Sequence, residues 1–228
     1  MPTLKSYEDA LTIKLMQATP YPREMAALAI SITMNTKPEQ EAKEFTESKG
    51  KFIIDAEHMS VLEHVFYTFY ITGISRSFLA QITRQRMASP TSGSQHYQNY
   101  EDYDCIVHKD LVHNATTQVS LNESFRDYSS LTSQGIMHQE ARQVLPNAAA
   151  VNYLWTINAH SLLWFLKKRL CYRNVAEMQN FAEKLRHILV DHFPEVFLNV
   201  GPQCFMDNCK QGFLQCDHGK WFPAPGEI

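Results

Sequence analysis

The sequence predicts an α/β (α+β) fold in which helices flank a central sheet. Runs of residues that favour strands stand at residues 10–16, 65–71 and 150–157. Apolar residues recur at helical spacing over Pro22–Met34 and over residues 175–192. Because 44% of the 228 residues are hydrophobic, the chain can bury a sizeable core between such elements.

The bulk properties narrow the class of protein. We predict one domain over residues 1–200 and a cysteine-containing C-terminal tail over residues 201–228. A net charge of −3 gives no reason to expect nucleic acid as a partner. The apolar run 61–74 is interrupted by polar residues, so we expect no membrane span. The first residues lack a signal-peptide core, and five cysteines are few and odd in number, so we expect a cytoplasmic protein with reduced thiols.

The elements of the first half follow from local pattern. The strand at residues 10–16 is ended by Thr19-Pro20, and the helix Pro22–Met34 comes next. Alternating Glu and Lys over residues 38–48 predict a polar helix with a solvent face. The apolar run 65–71 then predicts a core strand.

The second half alternates in the same way. Weakly amphipathic helices are predicted over residues 121–135 and 137–144, the latter ended by Leu145-Pro146. After the strand at 150–157, Asn158 is a good N-cap for a helix that reaches Arg169. The helix over residues 175–192 is ended by Pro194.

The stretch from residue 75 to residue 97 contains the side chains that are the best candidates for binding a ligand. It begins as an amphipathic helix, which we predict to continue into Arg86 and to stop before Pro90. A small, polar segment follows, with hydroxyl side chains, Gly93 and Ser94. Guanidinium groups beside hydroxyl and N–H donors suit phosphate. The alternative is a solvated helix end followed by a flexible loop.

Arg84 and Arg86 lie two residues apart. On an intact helix they would point to nearly opposite sides. The spacing therefore predicts two anionic ligands rather than one clamped ligand.

Two clusters raise the question of a metal. The first has His58, Glu63 and His64 within seven residues. The tail carries the second, with residues spaced too loosely for a recognised zinc motif: Cys204, Cys209, Cys216 and His218. We predict no metal site and interpret the tail as an ordered segment with reduced thiols.

The central stretch resembles the signature of the flavin-dependent thymidylate synthases. In that family an Arg-His-Arg triplet is followed by seven residues, a serine and an Arg-Tyr pair. Here the triplet is Arg84-Gln85-Arg86, the serine is Ser94 and the pair is His96-Tyr97. The segments 58–64, 142–146 and 158–169 also match family patterns in order and separation, so the resemblance covers nearly the whole chain.

The resemblance implies a fold, a reaction and a set of site residues. The fold would be a central mixed, mostly antiparallel twisted sheet flanked by helices. The residues implied for the nucleotide are Gln81, Arg84, Ser94, Gln95, His96, Arg142 and Arg169. Those implied for the flavin are Ser60, Arg84, Gln85, Arg86, Asn158, His160 and Trp164. Arg169 would be the catalytic residue, polarising the base, while Glu63 and His64 would hold the site together.

The implied enzyme is an FAD-dependent methyltransferase that converts dUMP to dTMP. Methylenetetrahydrofolate would supply the carbon, and reduced FAD, recharged by NADPH, the hydride. The absence of a Pro-Cys dipeptide argues against the route that uses a cysteine thiolate. The family also implies a homotetramer with shared active sites.

Four departures keep two other hypotheses open: Gln85, His96, His160 and Trp164 replace residues typical of the family. The first is a related flavin-dependent C5 (hydroxy)methyltransferase acting on dUMP or dCMP. The second is a homologue that binds nucleotide or flavin without catalysis. A plain α/β scaffold protein is the remaining alternative.

Overall fold

The structure is a computed structural model that describes residues 2–206, 209 and 211–216. The strands in these residues are β1 (Leu4–Ser6), β2 (Thr12–Ala18), β3 (Phe66–Ser75), β4 (Ala88–Ser92), β5 (Cys105–Val107) and β6 (Ala150–Asn158). The α-helices are α1 (Tyr7–Ala10), α2 (Pro22–Met34), α3 (Pro38–Glu44), α4 (Glu47–Asp55), α5 (Arg76–Ile82), α6 (Lys109–Val112), α7 (Ala115–Ser133), α8 (His138–Ala141), α9 (Ala159–Arg169), α10 (Ala176–His192), α11 (Pro194–Phe197) and α12 (Gln203–Met206). Short 3₁₀ helices span Met59–Leu62, Arg142–Val144 and Gly212–Leu214.

The strands form two sheets. The larger is antiparallel with the strand order β2-β3-β6-β4, and the smaller pairs β1 with β5 in parallel. Along β6 alternate side chains are buried, from Val151 to Ile157, as the period of two along a strand requires. The predicted α/β (α+β) class with a mostly antiparallel sheet and flanking helices is therefore confirmed.

The chain divides into two compact units, described here separately. Unit 1 comprises residues 2–14, 70–86 and 90–155. A buried cluster that includes Tyr100, Phe125 and Tyr128 packs α7 onto the loop before β5. The Tyr128 hydroxyl accepts a hydrogen bond from the Tyr100 backbone N–H at 3.3 Å, so this aromatic core also satisfies a buried backbone donor.

Unit 2 comprises residues 15–69 and 87–89 and the described residues from 156 onward. Its core joins α9 to α10, with the Phe165 and Phe181 rings edge to face at 6.0 Å between centroids. Phe181, Leu185 and Leu189 are fully buried, as the apolar spacing over residues 175–192 predicts, whereas Ala176 at the start of the helix is exposed. The prediction of a single domain over residues 1–200 stays a prediction.

One predicted helix is wrong in its extent. The helix α2 has the predicted bounds, but the polar helix predicted over residues 38–48 is broken into α3 and α4. Between them lies Phe45, which is 2% exposed and packs against the Phe193 ring at 5.7 Å. Burying this ring turns the chain, and Thr46 then takes the extended backbone of an N-cap. None of the described helices has the length and apolar character needed to cross a bilayer.

Candidate active site

The first helix of the central stretch, α5, is positioned by its cap. The Ser75 hydroxyl accepts a hydrogen bond from the Phe78 backbone N–H at 3.0 Å. As predicted, Phe78, Leu79 and Ile82 are buried. Because these three residues hold one face of α5 in the core, Gln81 lies on a more accessible face.

The prediction that this helix continues into Arg86 is wrong. The helix ends at Ile82, where the backbone tightens: the N–H groups of Arg84 and Gln85 donate to carbonyls three residues earlier, at 3.3 and 3.0 Å. Arg84 and Arg86 are therefore exposed residues of a connection rather than of a helix. Contrary to the prediction, they do not lie on opposite sides of a helix.

The segment that follows is a strand, where the sequence predicts the end of the helix and then a small, polar segment. Residues Ala88–Ser92 form β4, at the edge of the larger sheet. An edge strand tolerates Pro90, because its missing N–H need not enter a ladder. Beyond the strand, the Gly93 N–H donates to the Asn152 carbonyl at 3.0 Å. Of the residues predicted to meet the phosphate, Arg84 and Arg86 therefore precede this sheet edge, and Gly93 and Ser94 follow it.

Ser94 begins a turn that holds the last residues of the stretch. Its hydroxyl accepts from the His96 backbone N–H at 3.2 Å, and its carbonyl accepts from the Gln98 N–H at 3.0 Å. The His96 ring is exposed and lies edge to face with the Tyr97 ring, 4.2 Å between centroids. Gln95 is half-buried within this turn.

Three arginines of unit 1 share one property. Arg84, Arg86 and Arg142 are exposed, and within the described residues none of them forms an ion pair with a carboxylate. Arg142 begins the 3₁₀ helix Arg142–Val144, which is the end of the helix predicted over residues 137–144. Such groups are available to anionic ligands.

In unit 2, Ser60 lies on the 3₁₀ helix Met59–Leu62. It is exposed and lines a cavity of about 360 Å³. Most of the other side chains around that cavity are apolar, among them Ile30, Phe52 and Val61. A mostly apolar wall with a few polar groups is typical of small-molecule sites.

Asn158 caps α9, as predicted. Its side-chain oxygen accepts from the Ser161 backbone N–H at 2.8 Å. This bond fixes the orientation of the amide, and its NH₂ group remains a donor. The residue therefore starts the helix that carries His160, Trp164 and Arg169.

The structure brings three of the site residues into one hydrogen-bonded chain. His160 Nδ1 lies 2.9 Å from a Glu63 carboxylate oxygen, although 97 residues separate them in sequence. The Trp164 indole Nε1 donates to His160 Nε2 at 3.0 Å. Both ring nitrogens of His160 are thus engaged within unit 2.

Arg169 ends α9 and is half-buried. Its guanidinium donates to the Asn174 side-chain oxygen at 3.3 Å, and burial lowers its pKa from the usual value. Within the described residues it forms no ion pair with a carboxylate. Sequence reasoning missed Asn174, because nothing in its spacing marks it as a partner of Arg169.

The described residues contain no group of three His, Cys, Asp or Glu side chains arranged to hold a metal ion. Cys204, Cys209 and Cys216 are free thiols, and burial raises the pKa of Cys204. His218 lies outside the described residues. The absence of a metal site stays a prediction.

Comparison with known proteins gives consistent matches along the chain. The family described as "Thymidylate synthase complementing protein" matches residues 14–195. The flavin-dependent thymidylate synthase of Clostridium tetani (strain Massachusetts / E88) is 29% identical, over 90% of this chain and 92% of its own length. That of Saccharolobus solfataricus is 31% identical, over 86% of this chain and 79% of its own.

Solved structures share the fold. One is the flavin-dependent thymidylate synthase of Helicobacter pylori in complex with FAD and dUMP, with a TM-score of 0.69 and 21% identity over 83% of this chain and 99% of that chain. Another is the UMP/dUMP methylase PolB of Streptomyces cacaoi bound with 5-Br dUMP, with a TM-score of 0.71 and 18% identity over 85% and 94%.

The family match extends over most of the chain, and a relative is 31% identical over 86% of it. The chain therefore belongs to the thymidylate synthase complementing protein family, together with the flavin-dependent thymidylate synthases that it resembles in sequence.

Proposed function

We propose that the chain is a flavin-dependent thymidylate synthase, which methylates dUMP at C5 to give dTMP. Methylenetetrahydrofolate is the proposed carbon donor and NADPH the proposed reductant of the flavin. The observation that carries the proposal is Arg169, a half-buried guanidinium without a carboxylate partner in the described residues. A desolvated cation of this kind is stabilised when an anion binds beside it.

Arg169 is the proposed catalytic residue. A guanidinium stays protonated even where burial lowers its pKa, so it offers a permanent positive charge. C5 of uracil becomes a better nucleophile when negative charge builds up on the N3 side of the ring, and a fixed positive charge beside that side stabilises this activated form of the base. The bond to Asn174 keeps the guanidinium in place without neutralising it.

The nucleotide is proposed to contact the donors of the central stretch and of the Arg142 helix: Gln81, Arg84, Ser94, Gln95, His96 and Arg142. The guanidinium groups of Arg84 and Arg142 are exposed and form no ion pair with a described carboxylate, so they suit a phosphate. His96 stands where relatives have arginine. Because a neutral imidazole offers one donor, it grips a phosphate less firmly than a guanidinium does.

The described residues also suit FAD. Arg84, Gln85 and Arg86 offer donors for its phosphates, and Ser60 lines a largely apolar cavity. The Asn158 NH₂ group remains a donor, and the Trp164 ring is 42% exposed.

His160 has no ring nitrogen left to bond the flavin, because both of them are already bonded. We infer that His160 acts on the flavin by holding Trp164. Reduced FAD supplies the hydride of the reaction.

Assembly is part of the proposal. We propose that residues 1–200 form the catalytic domain of a cytoplasmic homotetramer with shared active sites. Large apolar side chains of unit 2 support an interface: Met16, Ile32 and Met34 are 53%, 75% and 67% exposed. Exposed apolar side chains that form a contiguous patch are typical of surfaces that meet another chain.

A second candidate is a related C5 (hydroxy)methyltransferase acting on dUMP or dCMP. One observation favours it: His160, which stands where the family pattern has an arginine, is bonded to Trp164 and Glu63 and carries no permanent positive charge. Loss of a permanent cation beside the flavin changes the electrostatics of the step that follows methylene transfer. A homologue that only binds nucleotide or flavin remains the alternative without catalysis.

The deciding experiment is mass spectrometry of the nucleotide product. The protein is incubated anaerobically with FAD, NADPH, methylenetetrahydrofolate and dUMP, and in parallel with dCMP. A product heavier than dUMP by one methylene is expected. A hydroxymethyl product, or turnover of dCMP alone, would replace the proposal by the second candidate. Bound FAD without a product from either nucleotide would indicate a binding protein.

A further inference from the structure

A cavity of about 430 Å³ lies beside the C-terminal end of α9. The side chains of Trp164, Lys167, Lys168 and Arg173 line it, and no acidic residue is among the described residues around it. Small-molecule sites have volumes of roughly 300–1,000 Å³. The cavity thus combines the size of a ligand site with three positive charges and an aromatic ring.

The indole of Trp164 is held as a wall of this cavity. Its Nε1 is bonded to His160, which fixes the ring, while 42% of the residue is exposed. The Nζ atoms of Lys167 and Lys168 lie 5.5 and 6.0 Å from the ring centroid. A flat ligand ring can stack on the exposed indole face, with its anionic groups beside the lysines.

Helix ends offer a simpler explanation for part of this charge. Basic residues in a last turn offset the negative end of the helix dipole, and Lys167 and Lys168 stand there in α9. Arg173 lies beyond the helix, however, and lines the same cavity. Across the described residues, neither Lys168 nor Arg173 forms an ion pair with a carboxylate. Dipole compensation accounts for neither the arginine nor the indole.

The cavity is connected to the proposed catalytic arginine through Asn174. The Asn174 side chain lines the cavity and accepts the hydrogen bond from Arg169 at 3.3 Å. Its NH₂ group donates to the carbonyls of Lys168 and Cys171 at 2.6 and 3.2 Å. The same turn therefore shapes the cavity and positions Arg169.

We propose that this cavity binds the anionic part of an aromatic co-substrate, with a ring on Trp164 and its negative charges on Lys168 and Arg173. The identity of the co-substrate rests on the proposed function. Two sources have this chemistry: the glutamyl carboxylates of methylenetetrahydrofolate and the phosphates of NADPH. Each glutamate added to the folate, or the 2′-phosphate that distinguishes NADPH from NADH, adds charge for the cavity to bind.

The test is calorimetric titration of the purified protein with FAD added. The probes are the mono- and triglutamate forms of methylenetetrahydrofolate, NADPH and NADH. The variant combines Lys168→Glu with Arg173→Glu. Its matched control is Lys43→Glu, an exposed lysine in the last turn of α3 that is not part of the cavity. Thermal unfolding verifies that each variant is folded.

If the cavity binds the folate, wild type should bind the triglutamate form of methylenetetrahydrofolate more tightly than the monoglutamate form. If it binds the nicotinamide nucleotide, wild type should bind NADPH more tightly than NADH. The double variant should lose that preference and bind about tenfold more weakly, while Lys43→Glu should bind as wild type does. Equal binding by the double variant, an equal loss in Lys43→Glu, or no binding by wild type would overturn the proposal. The titration measures binding without turnover. A protein that binds these probes but makes no dTMP would therefore contradict the proposed function and not the binding site.

Discussion

The indole Nε1 of Trp164 donates a hydrogen bond to Nε2 of His160 at 3.0 Å. Indole N–H is a donor only, so His160 Nε2 must carry a lone pair and no proton. Nδ1 then bears the imidazole proton and donates it to the Glu63 carboxylate at 2.9 Å. The geometry requires a neutral His160 in a single tautomer.

This tautomer can be measured without any assay of activity. We predict that ¹⁵N NMR spectra at pH 8 show His160 with a protonated Nδ1 and an unprotonated Nε2. Trp164→Phe removes the indole donor and should release the tautomer, whereas Glu63→Gln keeps an oxygen acceptor for Nδ1–H and should preserve it. An Nε2-protonated ring in wild type would contradict the hydrogen-bonded chain.

The second prediction concerns Arg169. Arg169→Lys keeps the charge but loses the planar fork that contacts Asn174, and we expect dTMP formation to fall by roughly 10²–10³-fold. FAD binding should change little, because the proposed role of Arg169 is on the nucleotide. Steady-state kinetics with a flavin titration checks both, and Arg126→Lys, an exposed arginine of α7, is the control. Unchanged kcat in Arg169→Lys would remove it from the chemistry.

Much of the fold follows from the sequence because its signals are local. Pro22 at the first turn and the apolar spacing define α2, and Asn158 marks the start of α9 by the cap that the structure shows. Features that depend on packing against residues distant in sequence cannot be predicted from local pattern. The break at Phe45 exists because its ring packs against Phe193, far along the chain.

The site shows the same contrast. The exposed arginines and Ser94 follow a recognisable spacing, but the strand β4 cannot be predicted from it, because Pro90 and small polar residues are poor strand formers. Its position at a sheet edge overrides that preference. The pairs His160–Glu63 and Arg169–Asn174 arise from folding, and no spacing in the sequence specifies them.

The third prediction separates the two roles of Asn158. Asn158→Asp retains an oxygen for the Ser161 N–H, so helix α9 should keep its stability. The same change removes the NH₂ donor and adds a negative charge, so we expect weaker FAD binding. Asn158→Ala should lose the cap and about 1 kcal/mol of unfolding free energy. Urea unfolding and flavin titration measure the two effects; equal FAD affinity in Asn158→Asp and wild type would exclude Asn158 from the flavin site.

The fourth prediction concerns Gly73, two residues before the Ser75 cap of α5. Its φ is +71°, and a Cβ there would lie 2.1 Å from the Ala10 carbonyl oxygen. Gly73→Ala should therefore cost about 3 kcal/mol or more, from backbone strain and overlap together. Gly135 also has a positive φ, of +86°, but open space around it, so Gly135→Ala should cost about 1–2 kcal/mol. Similar losses in both variants, by urea unfolding, would show that the close approach to Ala10 contributes nothing.

The last prediction concerns the pH dependence of stability through Glu41, whose side chain is 8% exposed. Hydrogen bonds from Lys49 and from the Thr36 hydroxyl lower its pKa below the usual 4.5. Because the pKa in the folded state is the lower one, the carboxylate stabilises the fold above pH 4.5, and this contribution is lost as the pH falls through the folded-state pKa.

Glu41→Gln should therefore lower the unfolding free energy by about 1–2 kcal/mol at pH 7. The difference should shrink towards pH 3, while Glu39→Gln, on an exposed position of α3, should follow wild type throughout. Urea unfolding at pH 7, 5, 4 and 3 measures it, and a difference independent of pH would mean that the charge of Glu41 does not stabilise the fold.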